Sequence, residues 1–492
     1  MQERMIISEM KTIRMLRTEA ERNDMDISEE IKVYGQDKDG MDKVMTGKDF
    51  IGDAAGQVSL NAINSLSGQM TYFYTTKVGM EAGNVGTALL ISKIVDGITD
   101  IIMGRIVDKT NTKEGKARPW LKRMILPSLL CVILLFTVPH ASAGIQMVYA
   151  ICTNIFAAAI VYTAIAVPYY VMINFETRSQ EERGKIGSSR GLLGYLVAQI
   201  IGIVLIPATN LLGGGQSAWI IVAAVIGLIG MIALTLCFKM TRERYRSGSA
   251  SGQDGAEENV ALGTALKILV KNKYWWMMML AQSALSGVYT FMYGAMAFYT
   301  MYVLGNDNLT AIVGSISLIP SILGFLAAPV LIKRFGMRKT GMIGCAFGLA
   351  GTVIRIIIPD NFIIFTLGMC LLTFATAPIV AVLPAMVINC ADWNEYKFGV
   401  KLTGMTNSVA SFGAKIGSGF AGALLGWVLA WTHFNGKAAV QSSEAIRGIY
   451  ALNIWIPGLM FVIILICYAG YTLEKKYTEI VKANDARRAE TK

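Results

Sequence analysis

Long apolar stretches separated by short polar segments recur along most of this 492-residue chain. A helix needs about 20 apolar residues to cross the hydrocarbon core of a bilayer, and these stretches reach that length. The predicted spans, numbered 1 to 12 in chain order, cover residues 50–76, 85–107, 121–138, 146–173, 190–212, 218–237, 275–303, 310–332, 341–358, 362–388, 405–431 and 450–473. The sequence therefore predicts an all-α membrane protein with 12 transmembrane helices. It lacks the short alternating strands of an outer-membrane barrel.

A charged segment rich in glycine and serine separates the first six spans from the last six. We interpret it as a cytoplasmic linker in which residues 262–273 form a short surface helix. The predicted divisions are an N-terminal tail, a six-helix bundle, the linker, a second six-helix bundle and a C-terminal tail, at residues 1–47, 48–238, 239–273, 274–474 and 475–492. Lysine and arginine are concentrated in the loops after spans 2 and 8, the linker and the C-terminal tail. This bias predicts that both termini face the cytoplasm.

The two halves resemble each other near the ends of spans 4 and 10. Residues 166–174 read Ala-Val-Pro-Tyr-Tyr-Val-Met-Ile-Asn, and residues 382–389 read Val-Leu-Pro-Ala-Met-Val-Ile-Asn. Acidic residues follow each segment, and the short basic turns after spans 2 and 8 also correspond. Internal repeats of this kind are typical of transporters whose substrate site lies between two bundles near the middle of the membrane.

Composition excludes several other classes of protein. Charged residues make up 16% of the chain, well below the roughly 25% of soluble domains. We attribute the net charge of +11 to cytoplasmic loops and not to nucleic-acid binding. The seven cysteines show no metal or disulfide spacing, and the two histidines, His140 and His433, lie near predicted helix ends. The chain is therefore predicted not to be an enzyme and to hold no cofactor.

Span 2 carries two carboxylates inside an apolar run. Asp96 and Asp100 are four residues apart, so they lie on one face of a helix, and Lys93 precedes Asp96 by three residues. Charged groups in a membrane helix are costly unless they face a polar interior, and they mark functional sites by default. The structural alternative is an internal ion pair between Lys93 and one aspartate, which leaves the second carboxylate unexplained.

Span 1 is too polar to face lipid on all sides. Its polar side chains are Asp53, Gln57, Ser59, Asn61, Asn64, Ser65, Ser67 and Gln69. We expect much of this helix to line an aqueous cavity.

Several motifs between residues 48 and 474 match one transporter family in order and spacing. They are Tyr-Phe-Tyr-Thr at 72–75, Asp-Gly-Ile-Thr-Asp at 96–100, Gly-Lys-Ala-Arg-Pro-Trp at 115–120, Val-Pro-Tyr at 167–169, Glu-Arg at 182–183, Asp-Trp-Asn-Glu at 392–395 and Lys-Ile-Gly at 415–417. In these motifs the chain resembles the glycoside–pentoside–hexuronide:cation symporters, the group of the melibiose permease in the major facilitator superfamily. The resemblance implies two six-helix bundles that alternate in exposing a central site.

The resemblance also implies roles for individual residues. The positions that match the coupling-cation site are Asp96, Thr99, Asp100 and Thr163, with Asp96 and Asp100 as the metal ligands if the ion is sodium. Arg190, Lys415 and Tyr170 match positions at the sugar site, and the candidate substrate-binding residues are Asn61, Tyr170, Arg190, Ser411 and Lys415. Carboxylate and hydroxyl oxygens suit Na⁺, which we favour, while two neighbouring acids that share a proton would give H⁺ coupling.

The sequence departs from the family pattern at two sugar-binding acids. Their positions fall at Ala166 and close to Asn61, and Asp53 lies about two helical turns away. Without those acids, Arg190 and Lys415 favour an anionic sugar such as a hexuronide, whose carboxylate an arginine binds through two hydrogen bonds. The alternative roles are a positive-inside anchor for the arginine and a snorkelling side chain for the lysine.

A third set of charged residues is predicted to form salt bridges between the bundles at the cytoplasmic side. These gate candidates are Arg105, Asp108, Arg118, Glu182, Asp392 and Glu395. Such pairs would close the inner gate in the outward-facing state.

These features predict a monomeric Na⁺- or H⁺-coupled symporter that imports a glycoside, pentoside or hexuronide. Its expected partners are a small sugar or sugar acid, the coupling cation and the lipid bilayer, and its expected location is the bacterial cytoplasmic membrane. Two alternatives on the same fold are a lipid transporter or scramblase, and a sugar sensor that binds without transport.

Overall fold

The computed structural model describes residues 32–37, 41–245, 262–400, 403–438 and 440–490. Most of the predicted N-terminal tail and of the central linker lies outside these residues. The side chains of two site candidates, Asp108 and Ser411, also lie outside the described set.

The first half of the chain folds into a bundle of helices. Its helices are α1 (Gly47–Gly68), α2 (Met70–Tyr72), α3 (Ala82–Lys109), α4 (Arg118–Phe136), α5 (Ala143–Asn154), α6 (Thr163–Glu176), α7 (Gln180–Leu211) and α8 (Gln216–Met240). Two π-helical segments continue α2 and α5, at Phe73–Val78 and Ile155–Tyr162.

The second half forms a second bundle. Its helices are α9 (Leu262–Lys271), α10 (Lys273–Gly294), α11 (Met296–Tyr302), α12 (Leu309–Ile357), α13 (Phe362–Phe398), α14 (Thr403–Trp431), α15 (Ser443–Tyr450), α16 (Ile456–Gly470) and α17 (Leu473–Glu490). A π-helical segment, Ala451–Trp455, joins α15 to α16. One cluster of buried apolar side chains extends through both halves.

Eight helices in the described part of the chain are long and apolar enough to cross a membrane. They lie at Arg118–Phe136, Ala143–Glu176, Glu181–Leu211, Gln216–Met240, Leu309–Ile357, Phe362–Phe398, Phe412–Trp431 and Ser443–Gly470. One of them, α12, contains both span 8 and span 9 and is broken at Gly336, where φ is 79°. Helices α1, α3 and α10, which match spans 1, 2 and 7, are not in this set, and α1 and α3 carry the polar residues already noted. The helical membrane architecture is confirmed, whereas twelve spans and cytoplasmic termini stay predictions.

The two halves meet where α3 packs on α14 and where α7 packs on α12. Glycines allow the first of these contacts to be unusually close. A Cβ atom on Gly426 would lie 2.5 Å from the Ala82 carbonyl oxygen and 2.7 Å from the Gly86 Cα atom. At positions 86 and 426 only glycine fits, so the backbones of α3 and α14 touch directly.

The two basic loops are held in the same way in both halves. The Glu243 carboxylate accepts hydrogen bonds from the backbone N–H groups of residues 116, 117 and 118, each at 2.8 Å. In the second half, the Glu474 carboxylate accepts from the backbone N–H groups of Met337 and Arg338, at 2.7 and 2.9 Å. An anion at free backbone N–H groups is a favourable arrangement. The sequence repeat is therefore also a structural repeat.

The end of the molecule that carries these loops is called the basic end. At the opposite end, Asp307 of the second half is surrounded by residues of the first half. It accepts hydrogen bonds from the Tyr72 hydroxyl at 2.9 Å and from the Asn210 amide at 2.8 Å, and the Lys77 ammonium lies 4.0 Å away. Asp307 therefore joins the two halves at the opposite end.

Candidate functional site

Helices α3 and α6 bring together three of the predicted cation-site residues. Thr163 Oγ1 lies 3.0 Å from Asp96 Oδ1 and 2.9 Å from Asp100 Oδ1, within hydrogen-bonding distance of both carboxylates. Thr163 is the first residue of α6 and directly follows the π-helical segment Ile155–Tyr162. Such π-helical segments are frequent at functional sites. The carboxylates and the hydroxyl form a compact group of oxygen atoms.

Two lysine side chains compensate the charge of this acid pair. The Lys415 ammonium, from α14 of the second half, lies 3.2 Å from Asp96 Oδ1 and also contacts Asp100 Oδ2. The Lys93 ammonium lies 3.5 Å from Asp96 Oδ2. The predicted alternative of a pair between Lys93 and one aspartate thus exists, but the second aspartate is held by Lys415. Lys415, expected at the sugar site, lies at the acid pair.

Thr99 faces its own helix in this structure. Its hydroxyl donates a hydrogen bond to the Asp96 carbonyl oxygen at 3.0 Å. The geometry therefore gives Thr163, rather than Thr99, the direct contact with both carboxylates.

Arg190 is held by an acid that sequence reasoning did not pair with it. Its Nε lies 2.7 Å from Asp53 Oδ2 and its Nη2 lies 2.5 Å from Asp53 Oδ1, a two-point ion pair. The guanidinium also covers the ring of Tyr169, with 3.9 Å to the ring centroid. The Tyr169 hydroxyl donates to the Asp53 carbonyl oxygen at 2.8 Å. Asp53 is fully buried and Arg190 is 7% exposed.

Arg190 also lines a cavity of about 500 Å³ in the first half. The lining residues are Gln57, Asn61, Tyr170, Ile173, Gly187, Arg190, Gly191, Gly194 and Tyr195. The cavity brings together three predicted substrate residues, Asn61, Tyr170 and Arg190, and two of the polar side chains of span 1, Gln57 and Asn61, line it. Amide and hydroxyl groups of Gln57, Asn61, Tyr170 and Tyr195 are the polar groups that accompany the arginine.

Polar contacts between the halves close the region between this cavity and the opposite end. The Tyr195 hydroxyl contacts the Ser321 hydroxyl. The Gln199 amide donates to the Tyr293 hydroxyl at 3.3 Å, and the Gln69 amide donates to the Tyr293 carbonyl oxygen at 3.2 Å. With the Asp307 contacts, these bonds hold the two halves together on the side away from the basic end.

The gate candidates of the first half contact other residues of that half. Arg118 donates to the Phe238 carbonyl oxygen at 2.8 Å. Glu182 accepts from the backbone N–H groups of Val44 and Met45, at 3.2 and 2.9 Å. Arg105 is exposed.

The gate candidates of the second half contact the C-terminal helix α17. Asp392 accepts from the Tyr477 hydroxyl at 2.7 Å, and the Glu395 carbonyl oxygen accepts from Arg487 at 3.1 Å. Burial and the hydrogen bond to Asp392 raise the pKa of Tyr477 to about 12, so this phenol keeps its proton at neutral pH. The contacts described here lie within one half each, and the salt bridges between the bundles stay a prediction.

Comparison with known proteins places these features in a transporter family. The model of the family described as MFS/sugar transport protein matches residues 52–475. A putative glycoside/cation symporter, YagG of Escherichia coli, is 28% identical over 448 residues, which cover 89% of this chain and 94% of that protein. A glucuronide carrier protein homolog of the same species is 26% identical over 463 residues, which cover 91% of this chain and 97% of that protein.

A solved transporter structure has the same fold. A variant of the nucleoside transporter NupG superimposes with a TM-score of 0.60 at 14% identity, covering 87% of this chain and all of that one.

Proposed function

We propose that this chain, which belongs to the MFS/sugar transport protein family, is a cation-coupled symporter that imports a glycoside, pentoside or hexuronide. The family and the apolar helices make it a multi-pass membrane protein of the bacterial cytoplasmic membrane, and a transporter rather than an enzyme. The relatives support a sugar as cargo, since their names specify a glycoside/cation symporter and a glucuronide carrier.

The contact of Lys415 with Asp96 and Asp100 carries this proposal. Its ammonium takes the position between two carboxylates that a small cation would take. A sodium ion there would be bound by oxygen atoms of Asp96, Asp100 and Thr163, the kind of ligand it prefers. The coupling ion and Lys415 therefore compete for one pair of carboxylates.

This competition supplies a mechanism for coupling. Lys415 is on α14 and the aspartates are on α3, so the ion pair links the two halves of the molecule. A bound cation displaces the ammonium and removes that link. The displaced Lys415 then carries an uncompensated charge in a membrane interior, which is costly. Sugar hydroxyls can accept hydrogen bonds from it, so the carrier with both cargoes reorients more readily than the carrier with the ion alone.

Uptake by proteoliposomes tests the proposal. We expect a methyl glycoside or methyl pentoside to accumulate under an inward Na⁺ gradient, and not under a K⁺ gradient of the same size. Accumulation driven only by an inward H⁺ gradient would assign the proton as the coupling ion. Asp96→Asn and Asp100→Asn should each abolish accumulation, because each removes one of the two negative charges that would bind the cation.

Glu114→Gln is the matched control for these variants. Glu114 pairs with Lys122 in the basic loop, away from the site, so we expect uptake to be retained. Coupled uptake that survives both aspartate substitutions would contradict the cation site.

A further inference from the structure

A short segment before α1 is docked on the first half of the molecule. It covers residues 41–46 and precedes the part of the chain that the family model matches, residues 52–475. The Tyr34 N–H group donates to the Lys43 carbonyl oxygen, and the Lys43 N–H group donates to the Gly35 carbonyl oxygen, both at 2.7 Å. We call residues 41–46 the N-terminal strap.

The strap is held by the carboxylate of Glu182, in the first turn of α7. Its Oε1 accepts a hydrogen bond from the Met45 N–H group at 2.9 Å, and its Oε2 accepts from the Val44 N–H group at 3.2 Å and from the Thr177 hydroxyl at 2.5 Å. Glu182 is 2% exposed. A buried carboxylate is costly without such donors, so Glu182 and the strap stabilise each other.

Apolar side chains of the strap are buried against the same helix. Val44 and Met45 are both buried, and they form a cluster with Ile186 of α7, which is fully buried. Phe50 of α1 and Ile173 of α6 pack against this cluster. The strap therefore joins the start of α1 to α6 and α7.

A second connection between α1 and α7 lies further along both helices. It is the ion pair between Asp53 and Arg190, at 2.7 and 2.5 Å. Asp53 follows Met45 by eight residues, and Arg190 follows Glu182 by eight residues. Eight residues are about two helical turns, so the strap and the ion pair hold α1 and α7 in the same register.

The cavity of about 500 Å³ lies along this boundary between α1 and α7. Its lining includes Gln57 and Asn61 of α1 and Arg190, Gly191, Gly194 and Tyr195 of α7. Ile173, which packs against the strap cluster, and Gly187, next to Ile186, also line it. A shift of α1 along α7 would therefore change the distances between the polar groups that a ligand contacts.

We propose that the N-terminal strap is a positioning element of the sugar site, and that it raises sugar affinity by holding α1 and α7 in register. The proposal rests on the proposed sugar symport and adds to it a segment that does not itself line the cavity. Several amide and hydroxyl groups must bond one sugar at the same time. Groups that are already in place bind more tightly, because less freedom is lost when the ligand enters.

Substitutions at Met45 test the proposal in the full-length protein. Met45→Asp places a second carboxylate beside the buried Glu182 and should release the strap. Binding is measured by calorimetry with methyl β-glucoside, methyl β-xyloside and methyl β-glucuronide, one for each proposed class of cargo. Whichever of them the wild type binds should bind about tenfold more weakly to this variant.

Two variants serve as controls for Met45→Asp. Met45→Leu keeps the apolar contact and the N–H group, so it should retain wild-type affinity. Met41→Asp introduces the same carboxylate in the same segment, at a side chain that is 48% exposed. It should also leave sugar affinity unchanged.

Glu182→Gln keeps the proposal testable if Met45→Asp fails to fold. The amide nearly preserves the shape of the side chain but turns an NH₂ group toward one of the two N–H donors of the strap. Sugar affinity should again fall about tenfold. The double variant should lose no more than the weaker-binding single variant, because both substitutions remove the same contact.

Each result decides between the strap and the wider function. Unchanged sugar affinity in folded Met45→Asp or Glu182→Gln would overturn the role of the strap and leave sugar symport standing. Additive losses in the double variant, or an equal loss in Met41→Asp, would overturn it as well. Absence of wild-type binding for all three sugars would instead reject the proposed function, and this inference with it.

Discussion

Lys415 and Asp100 form a direct ion pair across the boundary between the two halves, with the lysine on α14 and the aspartate on α3. The same ammonium lies 3.2 Å from Asp96. The acid pair is therefore electrically compensated by a residue of the other half.

Substitution of Lys415 by glutamine should separate ion binding from coupling. Removal of the competing ammonium should lower the half-saturating Na⁺ concentration about tenfold, equivalent to about 1.4 kcal/mol. Accumulation of sugar should be lost, because the ion no longer breaks a link between the halves. Na⁺ titrations of intrinsic fluorescence and uptake assays measure the two effects.

Lys93→Gln is the control for this prediction. Lys93 is on the same helix as Asp96 and 3.5 Å from it, so its removal leaves the connection between the halves intact. Sugar accumulation should persist in this variant. Unchanged Na⁺ dependence in Lys415→Gln would contradict direct competition.

Thr163→Val should distinguish the two coupling ions. The substitution keeps the side-chain shape but removes the oxygen that lies between the two carboxylates. If Na⁺ is the ion, loss of one ligand should raise its half-saturating concentration by roughly tenfold, whereas H⁺-driven uptake should change much less.

Thr99→Val removes a hydroxyl from the same region, but we expect this substitution to have little effect on Na⁺ dependence. That hydroxyl bonds a backbone carbonyl oxygen of its own helix, so Na⁺ dependence should stay near the wild-type value. Equal effects of the two threonine substitutions would argue against the special position of Thr163.

Asp307→Asn should favour opening at the opposite end. Asp307 is buried and accepts hydrogen bonds from Tyr72 and Asn210 of the other half. A hydrogen bond to a charged group stabilises the closed state by about 2 kcal/mol. Its loss should therefore raise the ratio of molecules open at this end to molecules closed there by roughly 30-fold.

Labelling measures this population. A cysteine introduced at Thr310, which lines the small cavity near Asp307, should react faster with a membrane-impermeant maleimide in the Asp307→Asn background. Glu444→Gln, an acid in the first turn of α15, is the control and should leave labelling unchanged. Equal labelling rates in both backgrounds would show that Asp307 does not hold this end closed.

Gly426→Ala should destabilise the protein. The added methyl group would lie 2.5 Å from the Ala82 carbonyl oxygen, and overpacking of this kind costs about 1–3 kcal/mol. At Gly422, one turn earlier on α14, a Cβ atom meets nothing within 4 Å. Thermal unfolding in detergent should therefore show a lower midpoint for Gly426→Ala than for Gly422→Ala, and equal midpoints would contradict the close packing of α3 on α14.

The sequence predicted the acid pair because its signal is local. Asp96 and Asp100 are four residues apart in an apolar helix, and that spacing alone places both on one face. The helical architecture followed from equally local information, the length of the apolar stretches. The match to known family motifs then supplied Thr163, which no local pattern connects to span 2.

The partners of the cations were not predictable in this way. Arg190 and Asp53 are 137 residues apart, and the acid lies two helical turns from the position where the family has one. A long, flexible arginine side chain can contact an acid two turns away, and the spacing of residues in the sequence does not show which acid it contacts. Lys415 likewise pairs with acids of the other half, a contact that depends on how two bundles meet.

Glu243 and Glu474 could have been found from the repeat. Each is the acid that closely follows the last span of its half, and each corresponds to a basic loop that precedes it by more than 100 residues. A comparison of the two halves position by position would have matched them.

The glycine contact between α3 and α14 also bears on energy conservation. A protein that uses an ion gradient must not let that ion pass unaccompanied. Where Gly86 and Gly426 meet, the two backbones are in contact. The contact therefore does not depend on the position of any side chain of these two residues. The crossing leaves no gap for water between α3 and α14 at this point, which under the proposed ion coupling would oppose leakage of the ion along this contact.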